Sequence, residues 1–259
     1  MSASRTALVR VVEGALARHD AAGRVDARVD RRRFVLLGVA ALAAACDAQG
    51  PRSAQRLLRY AERKNEGVER WLFRHTAMDH VRAGARDAGA RFPSYHIAPT
   101  VPTWDAAARG PWRLEVGGLV QRPVRLSLDD LVALPQTQQR VNHYCVEGWN
   151  AVATFWGVRV RELARVAGAL PQARYVDFAS YDDDYHESWD LESALHPQTL
   201  VAYAKDGRFL TPAYGAPARL HSPVKLGYKN TKYLTRVTVL AARNGGYWSD
   251  RGYEWYAGT

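Results

Sequence analysis

Between Trp112 and Ala241 the hydrophobic period keeps changing, and those changes restrict the folds open to the chain. Residues 112–116 alternate and run into Gly117-Gly118, a strand followed by a turn. Residues 126–131 read as a short helix capped by Ser127. Alternation returns at 141–145. Residues 155–158 lead into a short helix near 160–167. Residues 175–179 read as a strand, 188–195 as a helix, and 201–204 as a strand before the Asp206-Gly207 turn. Residues 234–241, β-branched and alternating, form the last predicted strand. A doubly wound sheet needs a regular strand–helix rhythm, which is missing here, so the pattern predicts an α+β fold. Residues 55–74 read as a separate helix with an amphipathic face, either a spacer or a helix packed on the body. Residues 83–90 are small and polar, a linker, and the folded core is expected from Phe92 onward.

The N-terminus has another character. Arg31-Arg32-Arg33-Phe34-Val35 opens a thirteen-residue apolar run ending at Cys46. A membrane span needs about 20 residues, whereas a signal-peptide core is this short. Two arginines, a spacer and two hydrophobic residues match the twin-arginine export pattern. Residues 1–48 are therefore expected to be an export signal or anchor, 49–91 a helical spacer, and 92–259 the catalytic domain. Cleavage, lipidation at Cys46 and retention as an anchor are all compatible with these residues. The expected destination is the periplasm or another extracytoplasmic space. The net charge of +10 points to the same division. Residues 1–92 carry 18 Lys and Arg against 10 Asp and Glu, whereas residues 93–259 carry 18 against 16. A nucleic-acid surface would need its basic patch on the folded body, so no nucleic-acid partner is expected.

The chemistry centres on Asn142-His143-Tyr144-Cys145-Val146-Glu147-Gly148-Trp149. Apart from Cys46, Cys145 is the chain's one cysteine. A disulfide between them is not expected if Cys46 belongs to a leader. A lone cysteine is often an inert core residue, but a thiolate is also a soft metal ligand and a nucleophile. If this stretch continues the strand, Glu147 shares a face with Cys145, and so does His143. Two chemistries follow from the residues: metal ligation by Cys145 with Glu147 relaying protons, or nucleophilic catalysis by Cys145 with His143 as base.

Four ordered blocks then carry a resemblance: Cys145-Val146-Glu147-Gly148-Trp149, Leu195-His196-Pro197-Gln198-Thr199-Leu200, Gly215-Ala216-Pro217-Ala218-Arg219-Leu220 and Gly227-Tyr228-Lys229-Asn230-Thr231-Lys232. From about Phe92 onward the chain resembles the molybdopterin-binding domain of the sulfite oxidase family. Its similarity is to the branch that includes the bacterial methionine sulfoxide reductase catalytic subunit. The resemblance implies a mixed, mainly β fold and Mo-molybdopterin as cofactor. In it, the metal is held by the two sulfurs of the pterin dithiolene and by Cys145. It places the contacts to the cofactor and its phosphate at Arg219, Lys229 and Lys232, with backbone around Asn230 and Thr231. Tyr95 and His96 fall in the early cofactor-contacting segment, and Ser180 where a hydroxyl contact is expected. Tyr214 stands where a relative has an amide, and can reach the pterin only through its hydroxyl. His143 is either a pterin ligand or a satisfied core histidine.

The implied reaction is two-electron chemistry, most simply oxygen-atom transfer on a small-molecule or protein-bound sulfur or oxo substrate. No Cys-x-x-Cys-His, iron–sulfur spacing or dinucleotide fingerprint occurs, so electrons are expected from a separate carrier, a haem-containing membrane subunit or a c-type cytochrome. Only nineteen residues follow Leu240, too few for the C-terminal dimerisation domain of sulfite oxidases, so a monomeric catalytic chain is expected. The acidic run from Tyr181 to Trp189, either a solvated loop or the lining of the substrate entrance, is ill suited to an anionic substrate such as sulfite. A non-catalytic extracytoplasmic binding module on the same fold is the remaining alternative.

Overall fold

The computed structural model describes residues 54–73, 77–81, 92–182 and 184–259. The expected leader at 1–48, with its arginine pair and Cys46, and the linker at 83–90 lie outside the described residues.

Alternation at the start of the core becomes strand β1 (Leu114–Gly118), with Leu114 and Val116 buried and Glu115 turned outward. It pairs antiparallel with β2 (Val124–Leu126) and parallel with the last strand, β10 (Leu234–Leu240). Gly118 has φ +83°, and a Cβ there would lie 2.2 Å from the Val239 carbonyl, so only glycine lets the two strands close. β5 (Tyr175–Ser180) and β6 (His186–Asp190) complete a five-stranded sheet in the order β2-β1-β10-β5-β6.

The second sheet is built on the long hairpin of β3 (Gln136–Tyr144) and β4 (Asn150–Arg159). β7 (Leu200–Lys205) adds to β4, and β8 (Arg208–Phe209) and β9 (Arg219–His221) both pair with β7. The architecture is therefore mainly β with few helices, as the α+β reading and the resemblance together implied.

The short helices sit where their local signals put them. α2 (Ala106–Arg109) is capped by Asp105. α3 (Leu128–Ala133) starts in a capping box: Asp130 N donates to Ser127 Oγ, and Ser127 N donates back to the Asp130 carboxylate. α4 (Val160–Ala167) buries Val160, Leu163, Ala164 and Ala167, and ends on Gly168 in the left-handed region. Leu163 and Ala167 share one core with Leu114, Val116, Val158, Val201, Leu220 and Val237, so both sheets meet the same apolar cluster.

One expectation is corrected. The helix predicted over 188–195 is strand β6 followed by the one-turn α5 (Leu191–Ala194). Glu187, Ser188 and Asp190 are all buried in that strand, where they pair with partners from distant segments, and cross-strand pairing with β5 overrides their local preference. The N-terminal helix, α1 (Gln55–Phe73), belongs to the same compact unit as the body, residues 56–259. It is docked through Arg243, whose guanidinium bonds Glu62 at 2.8 Å and Glu66 at 3.4 Å. The 77–81 segment also lies on the body: Met78 N donates to Gln198 Oε1, and Val81 N to the Arg140 carbonyl.

Candidate active site

β3 ends at Tyr144, and Cys145–Gly148 form the hairpin turn into β4. Cys145 N donates to the Trp149 carbonyl at 2.9 Å, and Gly148 N to the Cys145 carbonyl at 3.0 Å. Gly148 takes φ +85°, which closes the turn. The strand geometry expected for Cys145 and Glu147 is thus replaced by a turn, which still brings the two side chains together. Cys145 Sγ lies 3.8 Å from Glu147 Oε2, and Trp149 Nε1 donates to the same oxygen at 2.9 Å. The indole therefore fixes the carboxylate beside the sulfur. Burial, and then the Glu147 carboxylate, push the Cys145 thiol above its ordinary pKa. It stays protonated at neutral pH unless a cation draws the proton off.

The turn opens on a cavity of about 350 Å³. Nine of the twelve residues singled out in the sequence line it: Cys145, Glu147, Tyr95, His96, His143, Ser180, Arg219, Asn230 and Lys232. The structure thus draws the third and fourth sequence blocks to the cysteine turn. Ser180 closes the end of β5, its Oγ accepting from Asp182 N. Asn230 contributes to the wall, but its amide is spent on the backbone, accepting from Ser222 N and donating to the Lys225 and Leu226 carbonyls.

Two cations define the electrostatics. Arg219 is buried, and among the described residues its guanidinium donates to carbonyls alone, those of Leu220, Tyr214 and Asn230, at 3.2, 3.3 and 3.5 Å. Burial lowers its pKa to about 10, so it remains charged. Lys232 Nζ donates to the carbonyls of Tyr95 and Ala213 at 2.6 and 2.7 Å. Burial, and then the charge of Arg219, bring Lys232 to about 7. Neither cation has a carboxylate at ion-pair distance among the described residues. The uncompensated buried charge of Arg219 is costly, and an anion beside it would also favour the protonated form of Lys232, so this wall suits an anion.

His143 is the third polar feature. It is held at about 3 by burial and then by Arg219, so the imidazole is neutral. Among the described residues its Nδ1 has no hydrogen-bond partner, and neither does the buried hydroxyl of Tyr233, also on the wall. At Gly227, a Cβ would lie 2.8 Å from His143 Nε2, so the absence of a side chain there keeps the imidazole in place.

Three of the residues singled out lie elsewhere. Lys229 is fully buried in an ion pair with Glu187 at 2.6 Å, and also donates to the Ser188 carbonyl. Its charge is neutralised inside the body and not offered to the cavity. Thr231 is buried, its hydroxyl donating to the Phe178 carbonyl. Tyr214 donates its hydroxyl to the Phe92 carbonyl, which ties Phe92 to the second sheet. Conversely, Tyr185, Tyr228, Tyr233, Trp248 and Tyr253 line the cavity and were given no site role of their own, although Tyr228 stands in the fourth sequence block and Tyr185 in the acidic run. The aromatic density of the C-terminal tail was the one available signal for Trp248 and Tyr253.

The residues fit a molybdopterin. The wall offers a soft thiol, two carboxylate-free cations for an anionic group, and unsatisfied polar atoms for a polar heterocycle. No cluster of three or more His, Cys, Asp or Glu able to hold an ion exists among the described residues. A metal at Cys145 therefore needs further donors from its own organic ligand.

Comparison with known proteins agrees with this geometry. The oxidoreductase molybdopterin binding domain matches residues 99–248. The chain is 38% identical over 229 residues to the putative protein-methionine-sulfoxide reductase subunit YedZ1 of Azospira oryzae, covering 88% of this chain and 86% of that one. It is 32% identical to the uncharacterized oxidoreductase YuiH of Bacillus subtilis, covering 63% of this chain and 81% of the relative. It is also 32% identical to the protein-methionine-sulfoxide reductase catalytic subunit MsrP of Ralstonia nicotianae, over 49% of this chain and 43% of that protein.

Proposed function

The chain belongs to the oxidoreductase molybdopterin-binding domain family, and from that premise we propose that it is an exported, molybdenum-dependent sulfoxide reductase. The balanced reaction takes a sulfoxide, two electrons and two protons to a thioether and water. When bound, the molybdopterin supplies the two-electron couple for oxygen-atom transfer. Cys145 would hold the metal through Sγ, and Arg219 and Lys232 would hold the anionic part of the cofactor. The observation that carries this reading is the convergence of that thiol and those two carboxylate-free cations on one cavity.

The other residues take definite parts. Glu147, exposed and fixed by Trp149, can accept the thiol proton at Oε2 and exchange it with solvent. His143, neutral, offers a hydrogen bond without adding charge. Rings of Phe92, Trp149, Trp248 and Tyr253 line the cavity and suit a thioether or sulfoxide, whose sulfur is polarisable. Glu147 and Asp182 on the same wall disfavour an anionic substrate such as sulfite. The names of two relatives point the same way. The electrons come from a separate haem or cytochrome partner, and the arginine pair with its apolar run directs export.

The cysteine-nucleophile alternative gains no support. A His143 base would need to bond Cys145 Sγ, yet among the described residues its Nδ1 has no partner, and the thiol faces a carboxylate. The thiol is shifted up and the imidazole down, the reverse of an activated pair.

Protein purified from cells able to make the cofactor should contain about one molybdenum per chain. With a reduced dye it should turn over a dialkyl sulfoxide. Sulfite oxidation without sulfoxide reduction would contradict the substrate assignment.

A further inference from the structure

Helix α1 turns its faces the opposite way from a helix that packs on its own protein. At 100° per residue, Leu57, Leu58, Tyr60, Val68, Trp71 and Leu72 fall within one arc of about 160°. Glu62, Glu66, Glu69 and Arg70 fall outside that arc, towards the other side. The charged side meets the body: Arg243 bonds Glu62 and Glu66, and Arg70 lies over the Tyr256 ring. The apolar side meets solvent, with Leu57, Leu58, Tyr60, Val68 and Leu72 47% to 68% exposed. Leaving that much apolar surface in water is unfavourable, and a contiguous patch of this kind marks an interaction surface.

Charge selects the occupant. No acidic residue lies within the apolar arc, and the three glutamates of the helix are on the body side. The exposed Arg56, Arg63 and Lys64 border or enter the arc, with Lys64 Nζ 5.4 Å from the Tyr60 ring centroid. Apolar and aromatic residues flanked by cations are the composition of a helix lying in a lipid interface. The helix is not long and apolar enough to cross a bilayer. Residues 47–54 alone separate it from the apolar run 34–46.

We propose that α1 docks the catalytic body on an anionic membrane surface through Leu57, Leu58, Tyr60, Val68 and Leu72, with Arg56, Arg63 and Lys64 facing the lipid headgroups. The inference is independent of the reaction assigned to the cavity.

Hydroxyl-radical footprinting of the full chain tests it. In solution, peptides carrying Leu57, Leu58, Tyr60 and Leu72 should oxidise readily. Phosphatidylglycerol vesicles should slow their oxidation several-fold, and phosphatidylcholine vesicles should do so far less. The exposed-face variant L57Q/V68Q/L72Q, which disturbs no buried contact, should sediment with phosphatidylglycerol vesicles at least tenfold less and keep its dye-linked activity. An unchanged footprint with vesicles overturns the proposal, even if the chain binds them through residues 34–46. A footprint already low without vesicles also overturns it. Protection that disappears on dilution would then assign the face to a second copy, and protection that persists to the 34–46 run.

Discussion

Lys229 and Lys232 are three positions apart, and their ammonium groups do opposite work. Lys229 is enclosed with Glu187. Truncating one partner of such a pair leaves the other charge buried alone, so Lys229→Met should destabilise the fold by about 3–5 kcal/mol in denaturant titration. Lys232 donates to two carbonyls and, among the described residues, has no carboxylate at ion-pair distance. Lys232→Met should leave stability nearly unchanged and weaken anion binding. Since burial brings Lys232 to about 7, it is protonated below that pH and neutral above it. Sulfate, which does not titrate in this range, should therefore bind the cofactor-free chain more tightly as pH falls through 7, and Lys232→Met should flatten that dependence in calorimetry. A second titration is set away from the cavity wall's cations. The Asp177 carboxylate 2.7 Å from His186 Nδ1 raises the histidine above its ordinary value. A raised folded-state value means that this contribution to stability is complete below about 6.5 and is lost as pH rises through the folded pKa. Asp177→Asn should lower the His186 pKa in an NMR titration and remove that part of the pH dependence.

The element that matters most is the β3–β4 turn. Its backbone bonds and the left-handed Gly148 place sulfur, carboxylate and indole within one contact of each other. Gly148→Ala meets open space but a strained φ, so it should cost about 1–2 kcal/mol and lower molybdenum occupancy. The cysteine block was legible in the sequence because its chemistry is local, although the strand geometry assumed for it was not what forms. Helix α4 was legible for the same reason, since its apolar spacing and the Gly168 stop lie within one short stretch. Strand β6 was not. Glu187 and Asp190 look solvent-facing in sequence, and Lys229 and Lys225, some forty residues later, help make their burial tolerable. Tyr233 escaped notice for a similar reason, as long-range packing brings it to the cavity.

At the scale of the molecule, the cavity draws on both sheets: the β3–β4 turn and β9 from one, the end of β5 from the other, with the 227–232 loop and the C-terminal aromatics closing it. Because the two sheets share an apolar core, the distance between thiol and cations is set by packing far from either. The account rests on Cys145 as the protein's bond to molybdenum in that cavity. X-ray absorption at the molybdenum edge, on metal-loaded wild type and Cys145→Ser side by side, tests it most directly. The account predicts one sulfur ligand fewer in the variant, with the pterin sulfurs retained and sulfoxide reduction lost. An identical sulfur shell in the two proteins would contradict it.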